Sequence, residues 1–293
     1  MSRILAAEAK EFMGRFGLRA KKSLGQHFLV DEHVLQRILK AARLDPADTV
    51  VEVGPGLGIL TRDLSRQVAR VIAVEADAGL ASALRQVTEN AANVTIIESD
   101  ILQTDLAAVL ASAGVSGGTP GYKIVANIPY YITSRFFRHV LESPAKPSLI
   151  VVTVQKEVGE AITAGAGHMS LLAVSVQLYG KPEIVGQVPA RSFRPAPKVD
   201  SVILRIELHQ EPAVRLTDTT AFFAVVRAGF SAPRKQLRNS LAQGLGISPP
   251  EAKAYLERAM IDPRRRAEAL ELEEWARLCQ EVGGNETEVC ARL

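Results

Sequence analysis

The string with the most specific chemical content is Asn127-Ile128-Pro129-Tyr130-Tyr131, which directly follows a short apolar run. The exocyclic amine of adenine is a poor nucleophile, because its lone pair is conjugated into the ring. The amide oxygen of Asn127 and a backbone carbonyl in the turn that Pro129 stiffens can each accept an amine hydrogen. Tyr130 offers a stacking face for a base taken out of its helix. The string therefore suits a site that holds an amine between two acceptors beside a stacking ring, where positioning rather than a metal or a strong base would do most of the work.

A glycine loop stands earlier in the chain, at residues 52–58 with the sequence Glu-Val-Gly-Pro-Gly-Leu-Gly. Glycines such as Gly54 and Gly56 let the backbone approach a ligand closely. A dinucleotide fingerprint would need glycine at position 59, where this chain has Ile59. Glu52 would be unfavourable beside a pyrophosphate, so the loop suits a ligand that carries a positive charge.

Two further acids end the next two predicted strands. Glu75 lies 21 residues after Gly54, and a carboxylate there can accept both hydroxyls of a ribose. Asp100 can accept the exocyclic amine of an adenine while Ile101 packs on the ring. Together with Glu52 these residues predict a mono-adenosine site with an acid near its amino-acid end. S-adenosylmethionine fits such a site better than NAD does.

The elements that must position these residues alternate between strands and helices. The strands are predicted at 49–53, 70–75, 93–98, 123–127, 148–154, 183–188 and 201–207. The first four are apolar almost throughout, as in a parallel sheet covered on both faces. Beyond residue 217 only helical patterns appear, at 219–229, 234–245, 250–260 and 272–282. The pattern predicts an α/β, doubly wound fold with a small C-terminal all-helical domain.

Composition and charge narrow the function classes. The 293 residues are 47% hydrophobic and 23% charged, as in an ordinary globular protein, and no apolar run approaches the length of a membrane span. Glu8 interrupts the region where a signal peptide would need an apolar stretch. Cys279 and Cys290 supply neither a metal-ligand cluster nor a disulfide framework. We therefore expect a cytoplasmic protein with no membrane partner and no metal site.

Positive charge is concentrated in two segments. The net charge of the chain is only +3, but residues 1–30 carry +4 and residues 191–238 carry +5. Two basic segments on a nearly neutral chain suggest a surface for a polyanion. Arg234, Lys235 and Arg238 are predicted on one helix at spacings near one turn, which favours a phosphate-facing stripe over a merely solvated face.

The motif at 127–133 (NIPYYIT) resembles the fourth motif of the ribosomal RNA adenine N6-dimethyltransferases, a family of class I S-adenosylmethionine-dependent enzymes. Four other segments resemble further motifs of that family in the same order, namely 22–29 (KSLGQHFL), 52–58 (EVGPGLG), 193–201 (FRPAPKVDS) and 226–241 (VRAGFSAPRKQLRNSL). The resemblance implies a Rossmann-like, mainly parallel seven-stranded sheet and two methyl groups placed on one adenine N6. It implies three parts: a basic segment at 1–30 that closes over the cofactor, a methyltransferase domain at 31–208 and a helical RNA-binding domain at 209–293.

The resemblance and the residue chemistry together give three sets of site residues. Cofactor contacts are expected at Gln26, His27, Leu29, Glu52, Gly54, Gly56, Glu75, Asp100, Ile101 and Asn127. The catalytic wall is expected at Asn127, Pro129, Tyr130 and Phe193, with Phe193 stacking on the far face of the target base. RNA contacts are expected at Lys21, Lys22, Arg194, Lys198, Arg234, Lys235 and Arg238. Many family members have Asn where this chain has His27 and Tyr131, so His27 is expected to use its backbone and Tyr131 to pack.

The family has two main substrates. One branch methylates two adjacent adenines in the 3′ hairpin of 16S rRNA, late in small-subunit assembly, and the other methylates one adenine of 23S rRNA and gives macrolide resistance. Residues 193–201 and 227–241 resemble the first branch. The leading hypothesis is therefore a monomeric 16S rRNA enzyme whose partner is the immature small subunit. The alternatives are the 23S rRNA enzyme, an N6-adenine DNA methyltransferase and a non-catalytic ribosome-assembly factor.

Overall fold

The structure is a computed structural model that describes residues 3–115 and 121–283. Cys290 therefore lies outside the described residues. Within them, the strands are β1 (Phe28–Leu29), β2 (Thr49–Val53), β3 (Arg70–Glu75), β4 (Val94–Glu98), β5 (Lys123–Asn127), β6 (Leu149–Gln155), β7 (Gly180–Val188), β8 (Phe193–Arg194) and β9 (Ser201–Leu208). The α-helices are α1 (Arg3–Arg15), α2 (Glu32–Ala42), α3 (Ile59–Ser65), α4 (Ala78–Val87), α5 (Leu106–Ser112), α6 (Thr133–Glu142), α7 (Lys156–Thr163), α8 (Leu171–Tyr179), α9 (Thr219–Gly229), α10 (Leu237–Leu245), α11 (Pro249–Arg258) and α12 (Leu272–Gly283).

Seven of the strands form one sheet in the order β4-β3-β2-β5-β6-β9-β7. Strands β4, β3, β2, β5 and β6 are parallel, and β9 runs antiparallel to β6. All seven predicted strands are present, and the predicted α/β fold class is confirmed. Because β2 and β5 are neighbours, the loops that follow them leave the same edge of the sheet at the point where the strand order reverses. Ligands bind at such a switch point in open α/β sheets.

The apolar character of β2, β3, β5 and β6 is explained by burial on both faces, whereas the edge strand β4, expected to be covered in the same way, is only partly buried. Val50, Val51, Ile72 and Ile124 have no exposed surface, and helices such as α2 pack their apolar side against the sheet. Burying one such side chain contributes about 1.5–3 kcal/mol relative to leaving it in water. The rigid sheet that results holds the strand ends, and the polar residues on them, at defined positions.

The described residues divide into two compact units. The first contains the described residues up to 159 together with residues 181–208, and the second contains residues 160–180 together with the described residues from 209 onward. The segment 160–180, expected in the methyltransferase domain, thus groups with the C-terminal helices, where the Gly167 and Met169 amides donate to the Glu268 carbonyl. The segment 1–30 is part of the first unit rather than a separate body.

The helix predicted at 234–245 begins three residues later, at Leu237. Residues 231–236 form turns, and the backbone of Gln236 is extended, with φ −62° and ψ 146°. The Lys235 amide donates to the Ala232 carbonyl in a turn, and the Leu237 and Arg238 amides donate to the carbonyls of Arg265 and Pro263, so the backbone at this end is paired outside the helix. Arg234 and Lys235 therefore lie in the turn before α10, and only Arg238 lies on the helix.

Helices α9 and α10 of the second unit cross at a glycine. A Cβ atom placed on Gly244 would lie 2.4 Å from the Cα atom of Ala228. Side-chain rotation does not relieve a contact with backbone. We expect Gly244→Ala to lower the free energy of unfolding by about 1–3 kcal/mol, because overpacking outweighs the better helix propensity of alanine. Urea denaturation tests this against Gly283→Ala, where nothing lies within 4 Å of the new methyl group; equal stability of the two variants would contradict it.

None of the described helices has the length and apolar character needed to cross a membrane. In the same part of the chain, no group of three or more His, Cys, Asp or Glu side chains is placed to hold a metal ion.

Candidate active site

A cleft of about 870 Å³ opens at the edge where β2, β3 and β5 end. Its lining includes most of the residues expected to bind a cofactor or to form the catalytic wall, namely Gln26, His27, Gly54, Gly56, Glu75, Asp100, Ile101, Asn127, Pro129 and Tyr130. Leu29 and Glu52 line a smaller cavity of about 390 Å³, which shares Gly54, Gly56 and Asn127 with the cleft. Residues that are up to 104 positions apart in the sequence are thus brought to one edge of the sheet.

The glycine loop needs its glycines for space as well as for conformation. Gly56 has φ +57°, and a Cβ atom there would lie 3.0 Å from the ring of Phe28. Gly58 has φ +74°, and its Cβ atom would lie 2.6 Å from the side chain of Leu84. Both values of φ are in the left-handed region that disfavours other residues. The loop therefore presents bare backbone to the cleft.

Glu75 ties the glycine loop to the loop after β3. Its Oε2 accepts a hydrogen bond from the Gly56 amide at 3.1 Å, and its Oε1 accepts one from the Asp77 amide at 2.9 Å. Burial raises the pKa of this carboxyl, and the backbone amides oppose that shift. Each carboxylate oxygen can accept a second hydrogen bond. Glu75 is thus oriented by the backbone while still able to accept from a ligand.

Glu52 is the most perturbed acid of the site. It is 1% exposed, and neither its Oε2 nor the Thr61 Oγ1 has a hydrogen-bond partner in the described part of the chain. Burial raises its pKa to about 8, the nearby hydroxyl and amide of Thr61 oppose that shift although the Thr61 hydroxyl is not within hydrogen-bond geometry, and repulsion from Glu75 adds to the shift. An unpaired buried acceptor is costly. A cation brought near it would favour the ionised carboxylate and remove part of that cost.

The Glu52 pKa predicts how stability depends on pH. Between the unfolded value near 4.5 and the folded value of about 8, the folded chain keeps a proton that the unfolded chain releases. The free energy of unfolding should therefore fall as pH rises through this window, by about 1.4 kcal/mol for each pKa unit of difference. The Glu52→Gln variant should match the unsubstituted protein at pH 5 and exceed it at pH 9. Thermal melts test this, and parallel curves for the two proteins would contradict it.

Asp77 anchors the N-terminal segment beside the cleft. Its carboxylate accepts from Lys21 Nζ at 2.9 Å and from Gln26 Nε2 at 3.1 Å, and it caps α4 through the amides of Gly79 and Leu80. Burial alone would raise the pKa of Asp77, but the hydrogen bonds from Lys21 and Gln26 outweigh burial and lower it. The ammonium of Lys21, expected to contact RNA, is thus engaged with a buried acid. Asp77 is not among the site residues expected from the sequence, although an Asp one residue before a helix is a recognisable capping signal.

The motif at residues 127–131 is clamped from two sides. Asn127 Nδ2 donates to the His27 carbonyl at 2.9 Å, and Asn127 Oδ1 accepts from Thr153 Oγ1. The Tyr130 hydroxyl lies 2.6 Å from Ser201 Oγ, and its ring stacks on that of His27 with centroids 5.8 Å apart. The Asn127 amide and the Tyr130 ring are therefore held in place before any ligand arrives.

The two departures from the family pattern occupy defined places. The His27 side chain donates from Nδ1 to the Pro195 carbonyl at 2.7 Å, because a carbonyl oxygen only accepts. The His27 backbone carbonyl accepts from Asn127 Nδ2, and the expected backbone contact of His27 with a cofactor stays a prediction. Tyr131 is 54% exposed, and its ring packs over Gly25. A Cβ atom placed on Gly25 would lie 3.2 Å from the nearest ring carbon of Tyr131.

Phe193 does not lie where the sequence analysis expected it. Its side chain has no exposed surface and belongs to the apolar core of the first unit. The short strands β1 and β8 pair Leu29 with Phe193, so strand pairing draws the ring inward. A fully buried ring has no face free for a base, and the assignment of Phe193 to base stacking is corrected.

The remaining basic residues lie at the surface of their units. Lys22, Arg194 and Lys198 are exposed in the first unit, and Arg194 donates to the carbonyls of Arg191 and Phe193. In the second unit, Arg234, Lys235 and Arg238 are also exposed. Lys235 Nζ lies 3.4 Å from Gln243 Oε1.

Asp100 is exposed at the rim of the cleft, and its Oδ1 accepts from the Leu102 amide.

The sheet order, with the antiparallel strand β9 inserted next to β6, and the cleft at the switch point are those of a class I methyltransferase, a fold that the solved structures named below share. The chain belongs to the ribosomal RNA adenine dimethylase family, whose sequence model matches residues 17–283. As a member of that family it is an enzyme that methylates adenine in ribosomal RNA.

Individual relatives agree with this assignment. The chain is 48% identical to the ribosomal RNA small subunit methyltransferase A of Dehalococcoides mccartyi, over 96% of this chain and 94% of that protein. It is 44% identical to the protein of the same name from Pelotomaculum thermopropionicum, over 92% and 94% of the two chains. Among solved structures, the chain is similar to a dimethyladenosine transferase from Plasmodium falciparum, with a TM-score of 0.73 and 25% identity over 89% of this chain and 98% of that one. It is also similar to the 23S rRNA methyltransferase ErmE, with a TM-score of 0.66 and 28% identity over 87% of this chain and 98% of that one.

Proposed function

We propose that this enzyme transfers methyl groups from S-adenosylmethionine to N6 of two adjacent adenosines in the 3′-terminal hairpin of 16S rRNA. The partner is the immature small ribosomal subunit, and the enzyme acts as a monomer in the cytoplasm. The observation that carries the proposal is the Asn127 amide, held at the mouth of a cleft whose other walls suit an adenosine and a cation. The small-subunit relatives at 44–48% identity support 16S rRNA as the substrate.

The residues of the cleft fit S-adenosylmethionine. Glu75 would accept from the ribose hydroxyls, and Asp100 with Ile101 would hold the adenine. Glu52 would face the positively charged end, which supplies the cation that its unpaired Oε2 lacks. When bound, the cofactor supplies a methyl group on a positively charged sulfur. The protein residues bind and orient it, and the bare backbone at Gly54 and Gly56 allows it to lie close to the sheet.

The target amine would be held by acceptors on the other wall. Asn127 Oδ1 and a backbone carbonyl of residues 128–129 would each accept one N6 hydrogen, so that the nitrogen lone pair is directed at the methyl group. Tyr130 would stack on the base, with its own ring supported by His27 and Ser201. Phe193 has no part in this arrangement, because its ring is buried.

Exposed basic residues would hold the RNA phosphates, and those of the turn before α10 can be tested separately. We expect Arg234→Ala with Lys235→Ala to weaken RNA binding and to reduce the slope of log Kd against log salt by up to about 2. The matched control is Arg264→Ala with Arg266→Ala, which removes the same charge from arginines paired with Asp262 and Glu268. A salt slope equal to that of the unsubstituted protein would assign the turn to a solvated surface.

The proposal is tested on small subunits that lack the modification. The enzyme and S-adenosylmethionine are incubated with these subunits, and the rRNA is examined by mass spectrometry. Dimethyladenosine at adjacent residues of the 3′ hairpin is the expected result. The similarity to ErmE makes 23S rRNA the second candidate, so undermethylated large subunits are assayed in parallel. Methyl transfer to 23S rRNA alone would overturn the choice of substrate, and binding without any transfer would indicate an assembly factor.

A further inference from the structure

Thr153 places a hydroxyl in the middle of an otherwise apolar buried strand. It lies on β6, whose sequence is LIVVTVQ, and has no exposed surface. Burying a hydroxyl costs free energy unless it is hydrogen-bonded. The register of the sheet sets Thr153 directly beside Asn127 of β5, and Thr153 Oγ1 bonds to Asn127 Oδ1. The one hydroxyl group on this strand is therefore hydrogen-bonded to Asn127, the side chain at the centre of the catalytic motif.

The direction of this hydrogen bond is determined by the other end of the amide. Asn127 Nδ2 lies 2.9 Å from the His27 carbonyl oxygen, which can only accept. The nitrogen must therefore face His27 and the oxygen must face Thr153, so that Thr153 donates. Turning the amide over would set Asn127 Oδ1 against the His27 oxygen, and two acceptors repel. The hydrogen bonds to His27 and Thr153 are therefore both satisfied in only one orientation of the Asn127 amide.

We propose that Thr153 is a positioning residue for methyl transfer. This rests on the proposed function, in which Asn127 Oδ1 accepts a hydrogen from the target amine. An amide oxygen has two lone pairs: one is occupied by the Thr153 hydroxyl, and the other remains for the amine. Without the Thr153 hydroxyl, the Asn127 amide keeps only its hydrogen bond to the His27 carbonyl. The amide can then rotate about χ2, so that Asn127 Oδ1 occupies a wider range of positions.

The two transfers make different demands on this acceptor if Asn127 Oδ1 takes the single hydrogen that remains on the monomethylated amine. In each transfer the N6 lone pair forms a bond to the methyl carbon, the carbon–sulfur pair stays on sulfur, and one N6 proton passes to water. The first transfer starts from an amine with two hydrogens and the second from an amine with one. A loosely held Asn127 should therefore slow the second step more, and monomethyladenosine should accumulate.

The test compares three variants in the full-length enzyme. Thr153→Val removes the hydroxyl at nearly constant volume, Thr153→Ser retains it, and Thr95→Val makes the same change on β4 at an exposed position. We expect Thr153→Val to lower kcat about 10-fold, as one lost hydrogen bond would, with the KM for S-adenosylmethionine and the Tm nearly unchanged. The ratio of monomethyl to dimethyl product should rise. Thr153→Ser should restore both kcat and the product ratio, and Thr95→Val should leave them unaltered.

Several outcomes would overturn the proposal. Normal kcat and product ratio in Thr153→Val, with Asn127→Ala inactive, would show that Asn127 needs no support from Thr153 and would leave the proposed function intact. A loss of kcat that follows a loss of Tm and is not restored by serine would make Thr153 a purely structural residue. If the unsubstituted enzyme methylates no rRNA adenine, or Asn127→Ala is fully active, the proposed function itself fails.

Discussion

An Asn127→Ala variant is expected to lose at least about 100-fold in kcat for methyl transfer to rRNA. The amide is the one side-chain acceptor of the motif that is held on both sides, by the His27 carbonyl and by Thr153. Removing a preorganised polar group that acts on the reacting atoms costs about 10²–10³ in rate in other enzymes. Single-turnover kinetics with undermethylated small subunits would measure the loss directly.

The same variant should bind RNA almost as well as the unsubstituted protein. Asn127 carries no charge and lies in the cleft, whereas phosphate contacts determine most of the affinity for a polyanion. Asn90→Ala, which removes an exposed amide after α4, serves as the control and should change neither quantity. Equal losses of kcat and RNA affinity in Asn127→Ala would contradict a catalytic role and indicate a damaged fold.

A Glu75→Gln variant is expected to bind S-adenosylmethionine about 10- to 100-fold more weakly. Hydrogen bonds to a charged acceptor contribute about 1.5–3 kcal/mol each, and the proposed ribose contact would use the carboxylate. The substitution also affects the backbone, since Glu75 accepts from the amides of both Gly56 and Asp77. A side-chain amide accepts through one oxygen only, so one of these two donors would lose its partner.

Isothermal titration calorimetry, run well below the Tm of the variant, measures this affinity. Glu98→Gln is a matched control, because Glu98 pairs with Glu75 in the register of β3 and β4 but lies at the surface beside Arg85. The control should bind the cofactor normally. Undiminished affinity in Glu75→Gln, or the same loss in Glu98→Gln, would show that the cofactor does not use this strand end.

The strands and the order of the motifs were predictable because they depend on local pattern. A short run such as 124–126 is apolar and rich in β-branched residues, which favours a strand buried on both faces. The acids and glycines stand at the ends of such runs, and parallel strands bring their carboxyl ends to one edge. Glu52, Glu75 and Asn127 therefore meet in the structure as their spacing indicated.

The errors came from contacts that local pattern does not contain. Phe193 resembled an exposed aromatic of a family motif, but its pairing with Leu29, 164 residues away, buries it. Lys21 resembled part of a basic patch, and its ion pair with Asp77 depends on how the N-terminal segment crosses the loop after β3. The residue type was legible in the sequence at both positions, and the packing partner was not; RNA contact by Lys21, whose side chain is 55% exposed, stays a prediction.

By itself, the sequence determined the kind of sheet, the chemistry of its edge and the family to which the chain belongs, since each depends on residue types over short stretches. The tertiary structure alone decided which partner each polar group takes. The bond between Thr153 and Asn127 exists because β6 lies beside β5 in one particular register. A shift of that register by one residue would point the hydroxyl to the other face of the sheet. The register is determined by the interaction energies between strands that are distant in the sequence. The residue pattern along a single strand carries no information about those energies.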